Sequence, residues 1–410
     1  MRELPNVDYD ILIVGGGMVG ATLACALGAT SLRIGVIEAF TFGAANQPSY
    51  DDRSIALAYG SRRIIEGIGL WDTLQSQVTP IKKIHVSDRG HFGFTRLDSA
   101  EYNVDALGYV VELRVMGGVL ADCLAKLDNV DLLSPAKVVG LTQGADFAEV
   151  DVEKAGARKR LSARLVVAAD GDKSFIRQLL NISTIRQEYG QSAVIANVTP
   201  SQSHQGVAYE RFTDSGPLAL LPLSDNRCSL VWTVLNEQAE ETLNLSDADF
   251  LARLQARFGF RLGRFEQAGR RQVYPLALVQ AKEHVVNRVA LIGNAAHALH
   301  PVAGQGFNLG IRDIAVLSQI VVDAAKAGQD IGCMSVLREY DEWRAKDHKE
   351  VINFTDTLAR LFANDSLPLT LTRNLGLVAL DMLPFAKGML ARRTMGMAGK
   401  QPRLTRQLAL

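Results

Sequence analysis

A run of glycines near the start of the chain has the spacing that binds a dinucleotide phosphate. Gly15-Gly16-Gly17-Met18-Val19-Gly20 reads G-x-G-x-x-G. In such a segment the first glycine permits a tight turn, the second admits a pyrophosphate, and the third lets a helix pack closely on a strand. Glu38 follows at the end of the next β-branched run, where an acid accepts ribose hydroxyls. The pattern predicts dinucleotide binding by Gly15, Gly17, Val19, Gly20 and Glu38. The alternative is a glycine-rich turn without a ligand.

A second glycine-rich segment lies far along the chain and opens an apolar helical run. It extends from Gly293 to Asn308 and contains Gly304-Gln305-Gly306. Backbone N–H groups at such a helix start stabilise negative charge on a bound group. Pro301 would fix a rigid turn just before the helix. The alternative interpretation is a glycine helix cap with a buried asparagine.

Strands and helices must bring these segments together. Residues 9–14, 18–29 and 32–37 predict a strand, a helix and a strand, which form a right-handed parallel crossover. Residues 161–168 predict another apolar strand. Short strand signals recur over residues 184–280 and predict an antiparallel sheet, interrupted by one helix at residues 247–258. After residue 292 the pattern becomes helical.

These patterns predict an α/β protein with an α+β substrate part. The predicted units are a Rossmann-like cofactor domain, a substrate domain with a mostly antiparallel sheet, and a C-terminal helical region. The discontinuous cofactor domain takes residues 1–75, 100–183 and 285–330. The substrate domain takes residues 76–99 and 184–284, and the helical region takes residues 331–410.

Composition excludes several classes of function. The 410 residues are 48% hydrophobic and 21% charged, with 44 lysines and arginines against 44 acids. Such a chain folds as a globular protein, and no net positive charge attracts nucleic acid. The four cysteines have neither metal-ligand nor redox-motif spacing, so we expect free thiols and no metal site. Residues 11–32 carry no charge, but their many glycines and the missing positive flank argue against a signal peptide or a span. We expect a cytoplasmic protein.

Three motifs in the same order resemble those of single-component FAD aromatic hydroxylases, the relatives of para-hydroxybenzoate hydroxylase. Besides the first glycine motif, Asp170-Gly171 to Arg177 resembles D-G-x-x-S-x-x-R. Residues 293–308 resemble G-D-A-A-H…P-x-x-G-Q-G-x-N. At Asn294 the family usually has aspartate. Asparagine still accepts a hydrogen bond, so we expect FAD binding to survive.

The resemblance implies which residues contact FAD. Residues 51–57 match the family segment whose arginine lies against FAD, which points to Arg53, and Arg114 starts a helix whose first polar residue often reaches the cofactor. The alternative for both is a surface arginine paired with Asp52 or Glu112. Asn308 is expected to hold the pyrimidine edge of the flavin, and the helix start at Gly304 to stabilise charge near its N1. The full expected set is Gly15, Gly17, Val19, Gly20, Glu38, Arg53, Arg114, Asp170, Gly293, Asn294, Pro301, Gly304, Gln305, Gly306 and Asn308.

Further segments resemble the ubiquinone-biosynthesis hydroxylases of Gram-negative bacteria, namely residues 86–91, 194–198, 210–212 and 216–222. This resemblance implies that NADPH reduces FAD, that O2 adds at flavin C4a, and that the hydroperoxide hydroxylates a polyprenylated phenol. The expected substrate is a 2-polyprenyl-6-methoxyphenol. Since no second G-x-G-x-x-G exists, NADPH is expected to bind transiently. The candidates for a base that deprotonates the phenol are Tyr209, Tyr274, His300 and His85, each of which could instead be a buried aromatic.

The C-terminal region could bring the protein to a membrane that contains a prenylated substrate. After Asp381 the chain has no acid, but it has six cations among apolar residues. Such a segment could dock peripherally on the inner membrane or contact other ubiquinone-biosynthesis proteins. Two other functions stay open: a flavin-dependent reductase or dehydrogenase of an isoprenoid substrate, and a non-catalytic prenyl-binding protein with the flavin fold.

Overall fold

The structure is a computed structural model that describes residues 6–43, 53–362 and 367–410. Its strands are, in chain order, β1 (Tyr9–Val14), β2 (Ile34–Ile37), β3 (Ser54–Ala58), β4 (Thr79–Ile81), β5 (Lys83–Asp88), β6 (Phe94–Asp98), β7 (Gly108–Glu112), β8 (Val130–Leu133), β9 (Lys137–Gln143), β10 (Ala148–Lys154), β11 (Ala157–Ala168), β12 (Thr184–Pro200), β13 (Val207–Thr213), β14 (Gly216–Pro222), β15 (Cys228–Leu235), β16 (Phe265–Ala268), β17 (Gln272–Ala281), β18 (Val285–Val286), β19 (Val289–Leu291) and β20 (His297–Ala298). Its α-helices are α1 (Met18–Leu27), α2 (Tyr59–Gly67), α3 (Trp71–Leu74), α4 (Leu113–Leu124), α5 (Phe175–Leu179), α6 (Asn236–Asn244), α7 (Asp247–Phe258), α8 (Gln305–Lys326), α9 (Met334–Phe362), α10 (Leu367–Met382) and α11 (Pro384–Thr394).

The first sheet carries the glycine turn. Its main strands follow the order β18-β19-β11-β1-β2-β8, and β1 runs parallel to both β11 and β2. Helix α1 crosses from β1 to β2 as the sequence predicts. It is almost wholly buried because α4 and α8 pack on it. The β1–α1 turn therefore lies at the carboxyl edge of the sheet, beside the end of β11, where such folds bind ligands.

The second sheet is mostly antiparallel. It follows the order β20-β17-β12-β15-β14-β13-β5-β6, with β5 and β13 parallel. Helix α7 has the predicted bounds and packs on one face of this sheet. Helix α6 was not predicted, because Asn236–Asn244 is too polar to show an apolar stripe. The two sheets confirm the predicted fold class, α/β with an α+β substrate part.

Two short strands cross the predicted domain boundaries. Strand β4 lies in the predicted substrate segment, but it pairs with β7 in a small sheet that also contains β3. Strand β20 lies in the predicted cofactor segment, but it pairs with β17 of the second sheet. The two sheets are thus joined by chain segments next to the second glycine motif. The domain boundaries themselves stay a prediction.

The C-terminal helices end in a tail that returns to the cofactor side. The Gly60 N–H donates to the carbonyl oxygen of Met395 at 2.7 Å, and a Cβ on Gly67 would lie 2.7 Å from the carbonyl oxygen of Leu404. The tail after α11 therefore packs against α2. Within the described ranges, no single helix is long and apolar enough to cross a membrane. A pair bent by 95°, Thr370–Met382 with Pro384–Thr394, meets the length and composition criteria together.

Candidate cofactor and substrate site

The first glycine motif forms a turn with no room for side chains. Gly15 has a φ of +103°, and a Cβ there would lie 2.5 Å from the carbonyl oxygen of Ala169. A Cβ on Gly20 would lie 1.8 Å from the carbonyl oxygen of Gly15. Gly17 precedes α1, whose first turn carries no acid. The turn thus brings the start of α1 directly against the end of β11.

Glu38 lies at this turn, as predicted from its place after β2. Its side chain is buried. One carboxylate oxygen accepts the Gly16 N–H at 2.7 Å, and the other accepts the Phe40 N–H at 2.9 Å. Glu38 therefore braces the glycine turn, and contact with a ribose stays a prediction.

Asp170 has one carboxylate oxygen engaged and one without a partner. Oδ2 accepts the N–H groups of Phe175 and Ile176 at 2.7 and 3.1 Å. Oδ1 is buried and finds no hydrogen-bond partner among the described residues. A buried carboxylate oxygen without a donor is costly, so this atom fits a donor from a bound molecule. Its segment also reaches the second motif, since Arg177 donates to the carbonyl oxygen of Ala295 at 2.7 Å.

Val19 links the two glycine motifs. A Cβ on Gly293 would lie 3.1 Å from both methyl groups of Val19, and a Cβ on Gly310 would lie 3.3 Å from Gly293 and from Val19. Helices α1 and α8 pack together at this point. Asn294, the departure from the family pattern, is exposed beside it. The segments 15–20, 170–177 and 293–310 therefore converge.

The second motif presents an uncapped helix start. Ala303 and Gly304 are both left-handed, with φ of 56° and 59°, and α8 begins at Gln305 without a side-chain cap or an acid in its first turn. A Cβ on Gly306 would meet only open space. The loop between Pro301 and Gly306 thus leaves the positive end of a 22-residue helix open to an anionic group.

Asn308 uses its amide within the protein. Its Oδ1 accepts the Ala58 N–H at 2.8 Å, and its Nδ2 donates to the carbonyl oxygens of Ala56 and Gly304 at 2.8 and 2.7 Å. Both amide hydrogens are therefore engaged, and a flavin edge would find only the second lone pair of Oδ1. In this structure Asn308 joins β3 to the start of α8.

The two arginines have protein partners. The Arg53 guanidinium lies 5.0 Å from the ring centroid of Tyr274, and the Arg53 carbonyl oxygen accepts the Leu113 N–H at 2.7 Å. Arg114 is exposed and pairs with Glu112 at 2.8 Å, the alternative considered from the sequence. Asp51 and Asp52 lie outside the described residues. Contact of either arginine with FAD stays a prediction.

The four candidate bases occupy different surroundings. Tyr209 makes edge-to-face contacts with Phe258 and His85, and the Tyr274 hydroxyl donates to Gln272. Burial lowers the pKa of His300 to about 4, and burial with nearby arginines lowers that of His85 to about 4. Both histidines are therefore neutral near pH 7, and each has an Nε2 without a partner in the described structure.

Glu210 is a titratable residue that the sequence does not identify as a candidate base. It lies on β13 and accepts the backbone N–H of Ala303, in the loop before α8. Burial raises the pKa of Glu210 to about 7, and the hydrogen bond from Ala303 opposes this rise. The sequence connects residues 210–212 with function only through a resemblance, because nothing in a linear sequence places this acid beside that loop.

A buried polar cluster behind the second motif was also missed. Asp313 accepts from His297, His348 and Arg344 at 2.7 to 2.8 Å and from the Gly293 N–H at 3.2 Å. Burial raises the pKa of Asp313, but His348, Arg344 and His297 outweigh it and hold the pKa well below its ordinary value. The Arg344 guanidinium contacts the same carboxylate oxygen as His348, so this cluster is an ion-pair network. Its signal in the sequence is an aspartate within the apolar run of α8.

These features fit FAD. The glycine turn at α1 suits a pyrophosphate, Asp170 Oδ1 needs a donor, and the open start of α8 suits an anionic ring. The starts of α1 and α8, the unpartnered Asp170 Oδ1 and the glycines that lack side chains are thus the features of this chain that would receive FAD.

Comparisons with known proteins agree with this geometry. A family model described as an FAD binding domain matches residues 8–355. The ubiquinone hydroxylase UbiL of Rhodospirillum rubrum is 39% identical, over 98% of this chain and 93% of that protein. The 3-demethoxyubiquinol 3-hydroxylase of Escherichia coli is 33% identical, over 92% and 96% of the two chains. Among solved structures, p-nitrophenol 4-monooxygenase from Pseudomonas putida has a TM-score of 0.78 at 21% identity and covers 95% of this chain and 99% of that one.

Proposed function

The chain belongs to the FAD binding domain family and is an FAD-dependent monooxygenase, and on this premise we propose that it hydroxylates a polyprenylated phenol in ubiquinone biosynthesis. NADPH and O2 are the proposed co-substrates, and a 2-polyprenyl-6-methoxyphenol is the proposed acceptor. The observation that carries the proposal is the convergence of the three cofactor segments at the carboxyl edge of the first sheet. The hydroxylases of ubiquinone biosynthesis among the relatives support this choice of pathway.

Residues of this chain would hold FAD along its whole length. Gly15, Gly17 and the start of α1 would take the pyrophosphate, with Glu38 at the ribose. Asp170 would accept a donor through its unpartnered Oδ1. The N–H groups at the start of α8 would stabilise negative charge on the flavin ring. Bound FAD supplies hydride acceptance and transfer of one oxygen atom from O2.

NADPH would bind without a domain of its own. The sequence has a single G-x-G-x-x-G motif, and that turn is assigned to FAD. The nicotinamide would therefore reach the flavin from the surface and leave after hydride transfer. The choice of NADPH over NADH is part of the proposal and is tested by comparing the two as reductants.

Apolar side chains beside the start of α8 would form the walls of the phenol site. One cluster joins Ala208 of the second sheet and Leu223, the residue after β14, to Ala56 and Val110 of the small sheet. Another joins Phe212 and Val302 to side chains of α9 and α10. Hydrocarbon walls exclude water from a reacting ring and favour a prenyl substituent. The protein thus orients the substrate while the cofactor performs oxygen transfer.

The prenyl chain requires a route from a lipid phase, and the bend between α10 and α11 is the proposed contact. Six large apolar side chains are exposed there: Leu371, Leu375, Met382, Leu383, Phe385 and Met389. Phe385 is 81% exposed and Met382 is 74% exposed. Two cations further along the chain are engaged within the protein and not available to lipid headgroups, because Arg403 pairs with Asp323 and Lys400 lies over the ring of Trp343. Peripheral docking through this bend, or contact with other ubiquinone-biosynthesis proteins, is therefore proposed for α10–α11 alone.

The test supplies FAD-loaded protein with NADPH, 18O2 and a short-chain 2-prenyl-6-methoxyphenol. We expect one 18O atom in the product and stoichiometric NADPH oxidation. Mass spectrometry with fragmentation locates the new hydroxyl. A reduced or dehydrogenated product without 18O would support the reductase alternative. Purified protein that holds no FAD would favour the non-catalytic one.

A further inference from the structure

Glu210 lies on β13 between two apolar clusters. Side chains alternate between the faces of a strand, so Ala208, Glu210 and Phe212 share one face of β13. Ala208 belongs to the cluster that contains Ala56, and Phe212 belongs to the cluster that contains Val302. Glu210 lies between them in the strand. Its carboxylate is thus set into an otherwise apolar surface.

The loop before α8 fixes where this carboxylate points. Ala303 donates its backbone N–H to Glu210, and Ala303 is held in the left-handed region with φ of 56°. A Cβ on the next residue, Gly304, would lie 3.4 Å from the Cβ of Ala56. The carboxylate therefore lies beside the same helix start that would hold the flavin ring. Glu210 keeps part of its surface accessible although it lies deep in the protein.

No ion pair neutralises Glu210 in the described structure. Its register partners are Ala219 on β14 and Val86 on β5, and β14 has no titratable side chain. On β5, Asp88 is bound by Arg373. On α9, Asp356 accepts from the Tyr189 hydroxyl, and His300 in the loop is neutral near pH 7. Burial and the Ala303 N–H are the influences that set the protonation of Glu210.

We propose that Glu210 is the general base of the hydroxylation, an inference that rests on the proposed function. Bound FAD would supply the oxygen atom: the O–O bond of the oxygen it activates would break, and the second oxygen would leave as water. As the ring carbon forms its bond to the transferred oxygen atom, the O–H bond of the phenol breaks and the proton passes to a Glu210 carboxylate oxygen. The electron pair of that bond enters the ring and drives the attack. When the hydroxylated ring carbon then loses its hydrogen as a proton, which goes to the oxygen that leaves as water, aromaticity returns and Glu210 gives its proton back to the ring oxygen. A base titrating near the working pH is the effective choice for such a transfer.

A purely structural role would be to hold the loop through Ala303. Glu210→Gln separates the two roles, because the amide oxygen still accepts the Ala303 N–H but the side chain cannot take a proton. Glu210→Ala removes both functions. Glu188→Gln is the matched control, since Glu188 is an exposed acid on the same sheet, paired with Arg186.

The first measurement needs no turnover. A 2-prenyl-4-nitrophenol is bound to the oxidised, FAD-loaded protein, and its phenolate absorbance is followed against pH. A phenol that donates to an anionic carboxylate is harder to ionise, so its ionisation should move to lower pH by about one unit in Glu210→Gln. The Glu188→Gln control should match the wild type. Identical ionisation in wild type and Glu210→Gln would overturn the contact.

The second measurement uses the 2-prenyl-6-methoxyphenol assay. Near pH 8, Glu210→Gln should form product at least about 100-fold more slowly than the wild type, and the fraction of oxidised NADPH that yields hydroxylated product should fall. The wild-type kcat/KM should rise through an inflection near pH 7 that the variant lacks. A fluorinated, more acidic phenol should restore part of the lost rate. Wild-type product formation for Glu210→Gln would refute the base. A wild type that hydroxylates no phenol, while the nitrophenol ionisation still depends on Glu210, would instead refute the proposed function.

Discussion

Gly20 lies so close to Gly15 that a Cβ on Gly20 would be 1.8 Å from the Gly15 carbonyl oxygen. Even a methyl group must therefore push α1 away from the turn. We predict that Gly20→Ala greatly weakens FAD binding, because the pyrophosphate site is made by that turn and by the first N–H groups of α1. The visible flavin absorbance per protein after purification measures this effect.

Gly118 provides the matched control for Gly20. It also lies in a helix, α4, but a Cβ there would meet nothing within 4 Å. Gly118→Ala should keep a full complement of FAD and, from helix propensity alone, add up to about 1 kcal/mol of stability. Full flavin content in Gly20→Ala would mean that the pyrophosphate lies elsewhere.

Asp170 should contribute to FAD binding through Oδ1, the oxygen that has no partner among the described residues. In Asp170→Asn, a single carbonyl oxygen must serve either the N–H groups of Phe175 and Ile176 or the ligand. A charged hydrogen bond is worth about 1.5–3 kcal/mol, so we expect FAD affinity to fall by about 10- to 100-fold. Quenching of FAD fluorescence measures the dissociation constant. If Asp170→Asn binds FAD with unchanged affinity but has a lowered thermal midpoint, Asp170 has a structural role and does not contact FAD.

The sequence was sufficient for features that depend on local spacing. The glycine turn, α1 and the start of α8 were predicted because each follows from neighbours along the chain. The position of Glu210 against Ala303 was not predictable, since it requires β13 to lie beside a loop nearly a hundred residues away. Asn308 shows the same limit. Its amide is a good partner for a flavin edge in isolation, but the fold places strand β3 within its reach.

Acid should destabilise the protein through its buried histidines. Burial lowers the pKa of His348 to about 3 although Asp313 opposes this, and His284, His297 and Arg344 also surround its ring. The unfolded chain takes up this proton near pH 6.5 and the folded protein does not. The free energy of unfolding should therefore fall as pH drops from 6.5 toward 3, by up to about 1.4 kcal/mol per pH unit for this residue.

His348→Gln tests this origin of the acid sensitivity. Glutamine can still donate to Asp313, but it takes up no proton in either state. Urea titrations at several pH values give the free energy of unfolding as a function of pH. Between pH 6.5 and 3, the slope for His348→Gln should correspond to about one proton fewer than the slope for the wild type. His91→Gln, at an exposed position, is the comparison variant. Equal slopes in His348→Gln and wild type would contradict the assignment.

The bend between α10 and α11 should bind lipid surfaces through its apolar side chains. Phe385→Glu removes the most exposed of them and places an acid where the membrane would lie. Burial of a phenylalanine is worth about 1.5–3 kcal/mol, so flotation with phosphatidylglycerol vesicles should fall about tenfold or more. Phe260→Glu, equally drastic but located after α7 and 68% exposed in the wild type, should float normally. Equal flotation of both variants would remove the bend as the docking site.

Glu210 should also lower the stability of the protein in mild alkali. Its pKa is raised from 4.5 to about 7 on folding, so between these values the folded state holds a proton that the unfolded chain releases. The free energy of unfolding therefore falls as pH rises through this window, and the loss is complete above pH 7. After allowance for partial solvent screening, we expect the free energy of unfolding to fall by about 1–2 kcal/mol.

Glu210→Gln should match the stability of the wild type near pH 4.5 and exceed its thermal midpoint by about 1–4 °C near pH 8. Glu188→Gln should follow the wild type at every pH. A variant less stable than the wild type at pH 8 would show that Glu210 is held as a satisfied, ionised carboxylate, and such a group would be too weak a base for the role proposed above.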